Sequence, residues 1–370
     1  MAGTDDAQAA VVDRLLRDAF GDDVAITSSE RIEPWFVVRC AIDRPPGSVI
    51  VKSLRAHPTG FRTDPTQVAT ERAALEFMAD HVPGRAPELI ASDLDAGVLV
   101  LEDLAPRVAL WDLLRTDVAR ADDGLRSFAH ALGETAARTS GLADEYARRR
   151  ALLGGSDPRA ARAALTPSWD DTKAACEALD VSSSAQADRD IGTAFDVLRE
   201  PGPFFALSNG DAGANNYLVD GTDGRIIDWE FAHYRHALRD AVCLYVPGSV
   251  WMTVGDPISE GHADVHRAAL CTGISEATDD GLFGRGLASA CFVFAVERLS
   301  RLPRIDARDA GHESHVQMIV TLDAAARTMD AHRALPDAAG WLRDVAAALR
   351  RRWPDADVDV ASLGRYATRE

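Results

Sequence analysis

A chain of 370 residues with 46% hydrophobic content is long enough for two lobes and apolar enough to bury a sizeable core. Its formal net charge of −18 argues against a polyanionic partner, so neither nucleic acid nor an anionic membrane surface is expected. No apolar run approaches the length of a membrane span, and the acidic start MAGTDDAQAA lacks the plan of a secretory signal.

Five scattered cysteines (Cys40, Cys176, Cys243, Cys271, Cys291), without metal-ligand spacing, read as reduced thiols of a cytoplasmic protein. Ala7 to Phe20 has apolar residues at helical spacing and Gly21 as a stop, which predicts a leading amphipathic helix. Val24 to Ile32, Trp35 to Ile42 and Ser48 to Leu54 read as three strands. The first turn is expected to carry Ser28 and Ser29. A plain hairpin turn and a short polar loop reaching phosphates are both open there.

Lys52 stands out by composition. Lys and Arg together number 40, yet lysine occurs only at positions 52 and 173. A compact ammonium in the apolar strand GSVIVKSL suits phosphate oxygens that a planar guanidinium would not fit; the alternative is a snorkelling surface lysine. The helix Gln67 to His81 follows, offering Glu71 and Glu76, which five-residue spacing puts on different faces. Glu88 to Ser92 and Gly97 to Leu104 complete the strand-rich part.

From Leu110 the pattern turns helical: Trp111 to Leu114, Ala121 to Ser140, Ala160 to Leu165, Asp170 to Leu179 and Asp188 to Arg199. Phe204 to Leu207 then reads as a strand feeding the stretch LSNGDAGANNYLVDGTDGRIIDWE. Tyr217 to Val219 and Arg225 to Ile227 read as paired strands about the turn Gly221 to Gly224, so Asp228 returns towards Asn216. An amide oxygen and a carboxylate brought together suit Mg²⁺, and Asp211 is left to accept a proton from a hydroxyl. Alone, Asp211 to Asn216 would be ordinary turn chemistry; its coupling to IIDWE at hairpin spacing carries the reading. Further helices are expected at Asp264 to Cys271, Leu287 to Leu302, His312 to Asp330 and Ala338 to Trp353, with a loosely held end from Pro354 to Glu370.

GDAGANN followed by IIDWE resembles the catalytic and metal-binding segments of the aminoglycoside phosphotransferase-like small-molecule kinases. The run AHYRHALRDAVCLY with the later ALRRRWP is similar to actinobacterial members of that set. The resemblance implies an α+β, protein-kinase-like bilobal fold. Residues 1–103 would form a small antiparallel-sheet nucleotide-binding lobe, and residues 104–370 a larger, mainly helical catalytic and substrate-binding lobe.

By the same resemblance Asp211 is the catalytic base, Asn216 and Asp228 bind Mg²⁺, and Lys52 contacts the nucleotide phosphates, oriented by Glu71. Ser28 and Ser29 would reach the phosphates, the carbonyl of Glu102 and the amide of Leu104 would hold the base of ATP or GTP, and Asp240 would brace the catalytic loop. The chain departs from the family at Asn209, where histidine is usual; an amide keeps both donor and acceptor capacity. The expected activity is phosphorylation of a small-molecule hydroxyl. A nucleotide-binding pseudokinase that regulates or scaffolds is the alternative, supported by Asn209 and the missing glycine-rich loop. Glu230, Asp256, Glu260, Asp264, Asp279 and Asp280 fall on elements that surround the acceptor pocket in the family, which would favour a cationic acceptor.

Overall fold

The computed structural model describes residues 2–32, 37–53, 65–154, 167–248, 250–356 and 358–369. The chain opens with α1 (Ala2–Phe20), β1 (Ile26–Ile32), β2 (Val37–Ile42), β3 (Ser48–Ser53), α2 (Pro65–His81), β4 (Leu89–Asp93) and β5 (Val98–Glu102). The strands form one antiparallel sheet in the order β1-β2-β3-β5-β4. β5 lies between two neighbours and is buried on both faces. Its alternation divides it between two cores: Val98 and Val100 join Val49, Val51 and Leu16 of α1, while Leu99 and Leu101 join Val68, Phe77 and Met78 of α2. Lys52 is in register with Leu99, so the two-residue period turns it to the α2 face.

The remainder is β6 (Val108–Ala109), α3 (Leu110–Thr116), α4 (Val118–Thr139), α5 (Ala143–Leu152), α6 (Pro167–Glu177), α7 (Ala185–Arg199), β7 (Phe205–Ser208), β8 (Tyr217–Asp220), β9 (Asp223–Ile226) and β10 (His233–His236). Then come α8 (Leu238–Ala241), α9 (His262–Leu270), α10 (Asp280–Leu299), α11 (Leu302–Asp306), α12 (Ser314–Ala331) and α13 (Pro336–Arg352). α10 is the central post: Asp279 caps it by accepting from Leu282 N at 2.8 Å, and Leu287, Phe292 and Val296 are buried around it. α4 approaches α9 closely because Gly133 has no side chain; a Cβ there would sit 2.4 Å from His266 O. Among the described residues, no helix is long and apolar enough to cross a membrane.

The core of α2 is continuous with that of the helical part. Phe77 meets Tyr146 of α5 edge-on at 5.4 Å, His81 bonds Glu145 at 2.8 Å, and Arg149 bonds Asp80 at 2.7 Å. α2 is thereby pinned across the molecule, and with it Glu71.

Several expectations need correction. α5 was not foreseen, because ADEYARRRAL is charged and buries only Tyr146 and Arg150. β10 was not foreseen either, since HYRH lacks a strand-like apolar alternation; pairing with β7 makes it a strand. The end of the chain is held rather than loose. Thr368 bridges Trp251, Met252 N donates to Ala367 O at 2.7 Å, and Tyr366 packs edge-on to Trp251. Those are backbone and ring contacts that a polar composition does not reveal. Ala160 to Leu165, Trp35 and Leu54 lie outside the described residues.

Candidate active site

The loop that carries Asp211 leaves β7 at Ser208 and is held by side chains at three successive backbone amides. Asn209 N donates to Asp240 Oδ2 (2.9 Å), Gly210 N to Ser208 Oγ (3.0 Å) and Asp211 N to Asn209 Oδ1 (3.2 Å). Asp240, buried at the start of the segment after β10, also accepts from Ser208 Oγ at 2.5 Å and Arg235 Nη2 at 2.6 Å. It braces the loop as expected. Gly210 is required: its φ is +89°, and a Cβ would lie 2.2 Å from Phe231 O.

β8 and β9 pair from Tyr217↔Ile226 to Asp220↔Asp223, so the tight loop is Gly221 and Thr222 alone, shorter than the turn expected. Gly224 lies within β9 and must be glycine, because the Tyr217 ring crosses it; that hydroxyl meets Ser127 Oγ at 2.6 Å. Ile227 N donates to Asn216 O at 2.9 Å, which closes the hairpin and sets Asp228 beside Asn216. Asn216 Nδ2 donates to Asp211 O at 2.9 Å and reaches Asp211 Oδ2 at 3.4 Å, while its Oδ1 accepts from Asn215 Nδ2 at 2.9 Å. Asp228 takes φ +63°, left-handed backbone uncommon for a residue with a side chain.

Lys52 joins the sheet to this hairpin. Its Nζ lies 2.7 and 2.6 Å from the two oxygens of Glu71 and 2.6 Å from Asp228 Oδ1. Of the two glutamates on α2, Glu71 is the buried partner; Glu76 turns away and pairs with Arg72 at 2.9 Å. Glu230 was missed as a candidate ligand, though it ends the IIDWE run. Carboxylate oxygens of Glu71, Asp228 and Glu230 lie within 4.8 Å of one another, beside a small cleft lined by Lys52, Gln67, Val68, Glu71, Leu99 and Glu230. Three carboxylates against one ammonium leave these side chains net negative, which suits a hard divalent cation. Burial, and then the charge of Asp228, push the Asp211 carboxyl above the ordinary carboxylate range. His233 has its pKa lowered to about 4 by burial and then Arg235, so the ring beside the loop is neutral at pH 7.

A model of the Phosphotransferase enzyme family matches residues 41–279, which is more than half of the sequence and contains every one of these groups. The chain belongs to this family. No curated protein matches it by sequence. Among solved structures, a candidate aminoglycoside phosphotransferase from Ralstonia eutropha superposes with a TM-score of 0.54 at 13% identity, over 92% of this chain and 98% of that one. A choline/ethanolamine kinase family protein from Mesorhizobium loti covers 94% of this chain and 99% of its own at 18% identity, with a TM-score of 0.47. The fold is the α+β, protein-kinase-like arrangement, and the protein is a member of a phosphotransferase enzyme family.

In this phosphotransferase the residues expected near the nucleotide base follow the end of β5. Glu102 is its last residue and Leu104 is buried just beyond. Asp103 between them was missed. It accepts from Arg39 Nε and Ser48 Oγ, both at 2.7 Å, and from Ala105 N at 3.1 Å, which ties the connection to β2 and β3. Burial pushes its carboxyl up, but those bonds prevail and hold it below the ordinary range.

Ser28 and Ser29 are not in a turn. They pair with Ala41 and Cys40 inside β1, exposed, and the β1–β2 connection lies outside the described residues. The acidic residues after the catalytic segment divide. Glu230 lies at the site, whereas Asp256 caps a local turn, Asp279 caps α10, Glu260 holds Arg365, Asp280 pairs with Arg267, and Asp264 is exposed on α9.

Proposed function

We propose that this phosphotransferase uses ATP or GTP with Mg²⁺ and phosphorylates a hydroxyl of a small molecule, an aminoglycoside-like antibiotic or a metabolite, in the cytoplasm. The observation that carries the reading is Lys52, held between Glu71 and Asp228, with Asp211 and Asn216 in contact on the adjoining loop. Asp228 and Asn216, joined by Glu230, offer the hard oxygen donors that would hold the metal. A metal-bound nucleotide would supply the phosphoryl group and neutralise charge on its oxygens.

The chain's own part is positioning. Lys52 presents an ammonium to phosphate oxygens from the floor of the cleft. Glu71 and Asp228 fix its direction. The backbone after Glu102 is offered to the base. Asp211 orients the acceptor hydroxyl and takes its proton; its raised pKa makes it a better base than an exposed carboxylate. The carboxylates of Asp211, Asp228 and Glu230 disfavour an anionic group beside the acceptor hydroxyl and are compatible with a cationic one. Residues 1–103 and 104–370 would be the two lobes between which donor and acceptor meet.

The pseudokinase reading has Asn209 and the missing glycine-rich loop as its supports, and the buried amide at Asn209 fits its surroundings. Nucleotide consumption is the test, with and without Mg²⁺, across amino-sugar, nucleoside, macrolide and amino-alcohol acceptors. Mg²⁺-dependent turnover with one acceptor class is expected. Tight nucleotide binding without turnover on any acceptor would favour the scaffold.

A further inference from the structure

Gly364 to Arg369 lie as a strap across Val250 to Thr253. Met252 N donates to Ala367 O at 2.7 Å and Arg369 N to Val250 O at 2.9 Å. Thr253 Oγ1 donates to Gly364 O at 2.7 Å and accepts from Ala367 N at 2.8 Å. No side chain of the strap is itself buried, whereas Trp251 and Met252, which it covers, are. A segment that sinks no side chain into the core is held by its few bonds and its charges. Such segments open well below the cost of unfolding the whole chain.

Arg365 supplies the charge. Its Nε donates to Glu260 Oε1 at 2.7 Å, and its Nη2 lies 3.4 Å from Asp122 Oδ1. Asp122 has a second cation, Arg126, at 3.2 Å, but Arg126 meets Glu260 only at its backbone carbonyl. His262 stands between the two carboxylates, 3.1 Å from Asp122 and 3.4 Å from Glu260. Burial lowers its pKa, and a neutral ring donates to only one of them. Among the described residues, Arg365 is therefore the one permanent cation at the Glu260 carboxylate. At the other end of the strap Arg369 Nη1 donates to Gln317 Oε1 at 3.1 Å, and Gln317 Nε2 donates to Trp251 O at 2.9 Å.

Trp251 carries the position of the strap inward. Tyr366 meets its ring edge-on at 6.1 Å, and Trp111 packs on it at 4.6 Å. Trp111 is the second residue of α3, and α3 packs against the turn Ala214–Asn216, which carries a proposed metal ligand. We propose that Gly364–Arg369 is an ion-latched strap that opens on its own, and that its closure, through Trp251 and Trp111, sets how firmly α3 holds the Asn216 turn. The effect on metal rests on the function proposed above and adds a regulation of that site; the opening of the strap does not depend on it. Packed side chains couple distant groups where one element has two arrangements, and the strap, docked or released, is that element.

The test compares the wild type with Arg365→Ala, Glu260→Gln, Trp111→Leu and a chain ending at Leu363. Hydrogen exchange is read at the amides of Met252, Ala367 and Arg369 and in the turn Ala214–Asn216. Titration calorimetry measures ATP binding with and without Mg²⁺. In the wild type the strap amides should exchange at least about tenfold faster than those of α10, because they open locally. Arg365→Ala and Glu260→Gln should speed them several-fold further. Added salt should speed the wild type and leave Arg365→Ala nearly unchanged. Both variants and the shortened chain should loosen the Asn216 turn and weaken the Mg²⁺-dependent tightening of ATP several-fold, with metal-free ATP affinity unchanged. Trp111→Leu should loosen the turn while the strap stays closed, and removing the strap from it should add nothing more.

Strap amides that exchange only with global unfolding would overturn the proposal. So would a shortened chain whose Asn216 turn and Mg²⁺ dependence match the wild type. If the shortened chain does not fold, Arg365→Ala decides alone, and wild-type exchange at its strap and turn has the same force. A wild type that binds no Mg·ATP strikes the kinase reading instead, and exchange in the strap and the turn still decides whether the strap controls α3.

Discussion

Lys52 Nζ lies 2.6 Å from Asp228 Oδ1, a contact across 176 residues of sequence. It joins the third strand of the sheet to the hairpin that follows the catalytic loop, and Glu71 on α2 completes it from the other side. One ammonium is thus held by two carboxylates from separate elements, and both must be in place for it to point into the cleft.

Replacement of that ammonium is expected to be costly even with charge retained. The Lys52 side chain is 12% exposed, so a guanidinium must either displace Glu71 or forgo the contact with Asp228. Lys52→Arg should lower kcat/KM by about 10²–10³-fold, the range for removing one charge-stabilising donor, with a thermal midpoint near that of the wild type. Steady-state rates beside a melting curve check this. Near-normal turnover in the arginine variant would remove Lys52 from the phosphate site.

Much of this was legible because chemistry forced unusual residues into plain sight. A lysine in a chain that otherwise writes positive charge as arginine, and an Asp and Asn ahead of IIDWE at hairpin spacing, are visible without coordinates. Spacing alone left Glu71 and Glu76 alike, since both are helix glutamates and either face could have met the sheet; the resemblance selected Glu71, the one the structure pairs with Lys52. Ser28 and Ser29 misled because β1 is an edge strand that buries almost nothing, and an exposed polar strand resembles a turn in composition. Asp103 and Asp240 carry no pattern of their own; their roles lie in backbone amides and arginines brought to them by folding.

Acid should destabilise the fold through buried histidines before it reaches most carboxylates. Burial lowers His236 to about 3 and His266 to about 4, and burial with Arg235 lowers His233 to about 4. A folded pKa below the unfolded value means the unfolded chain takes up the proton first. Stability from these groups is therefore complete above pH 6.5 and is lost as pH falls below it. The thermal midpoint should decline between pH 6.5 and 5, and His236→Gln should flatten that decline. A midpoint that is level over this window would show that the rings are hydrated and free to charge.

Asp211, the proposed proton acceptor, should behave oppositely, as a group that costs stability. Its carboxyl is raised by burial and by Asp228, so ionising it is harder in the folded chain than in the unfolded one. The penalty is absent well below pH 3.8, grows as pH rises, and is complete above the folded pKa. Asp211→Asn should raise the thermal midpoint at pH 7.5 and lose that advantage in strong acid, a trade of activity against stability. Calorimetry of both proteins at the two pH values measures it. A destabilised variant at neutral pH would mean that the carboxylate is needed for the loop's structure.

Activity should separate the three central residues by role. Asp228 touches Lys52, and Asn216 stands at the other end of the same closed hairpin, and the proposed function assigns both to the phosphate side. Asp228→Ala should abolish turnover and the Mg²⁺-dependent tightening of ATP binding. Asn216→Ala should do the same in weaker form. Asp211 lies on the preceding loop and reaches that hairpin chiefly through Asn216, so Asp211→Asn should leave Mg·ATP affinity nearly unchanged. Its cost should fall on kcat, on the order of 10²–10⁴-fold, because the amide matches the carboxylate in size but cannot take the acceptor's proton. Titration calorimetry of Mg·ATP into each variant, beside single-turnover rates, separates the two kinds of loss. Nucleotide binding lost in Asp211→Asn but kept in Asp228→Ala would reverse the assignment of roles across this hairpin.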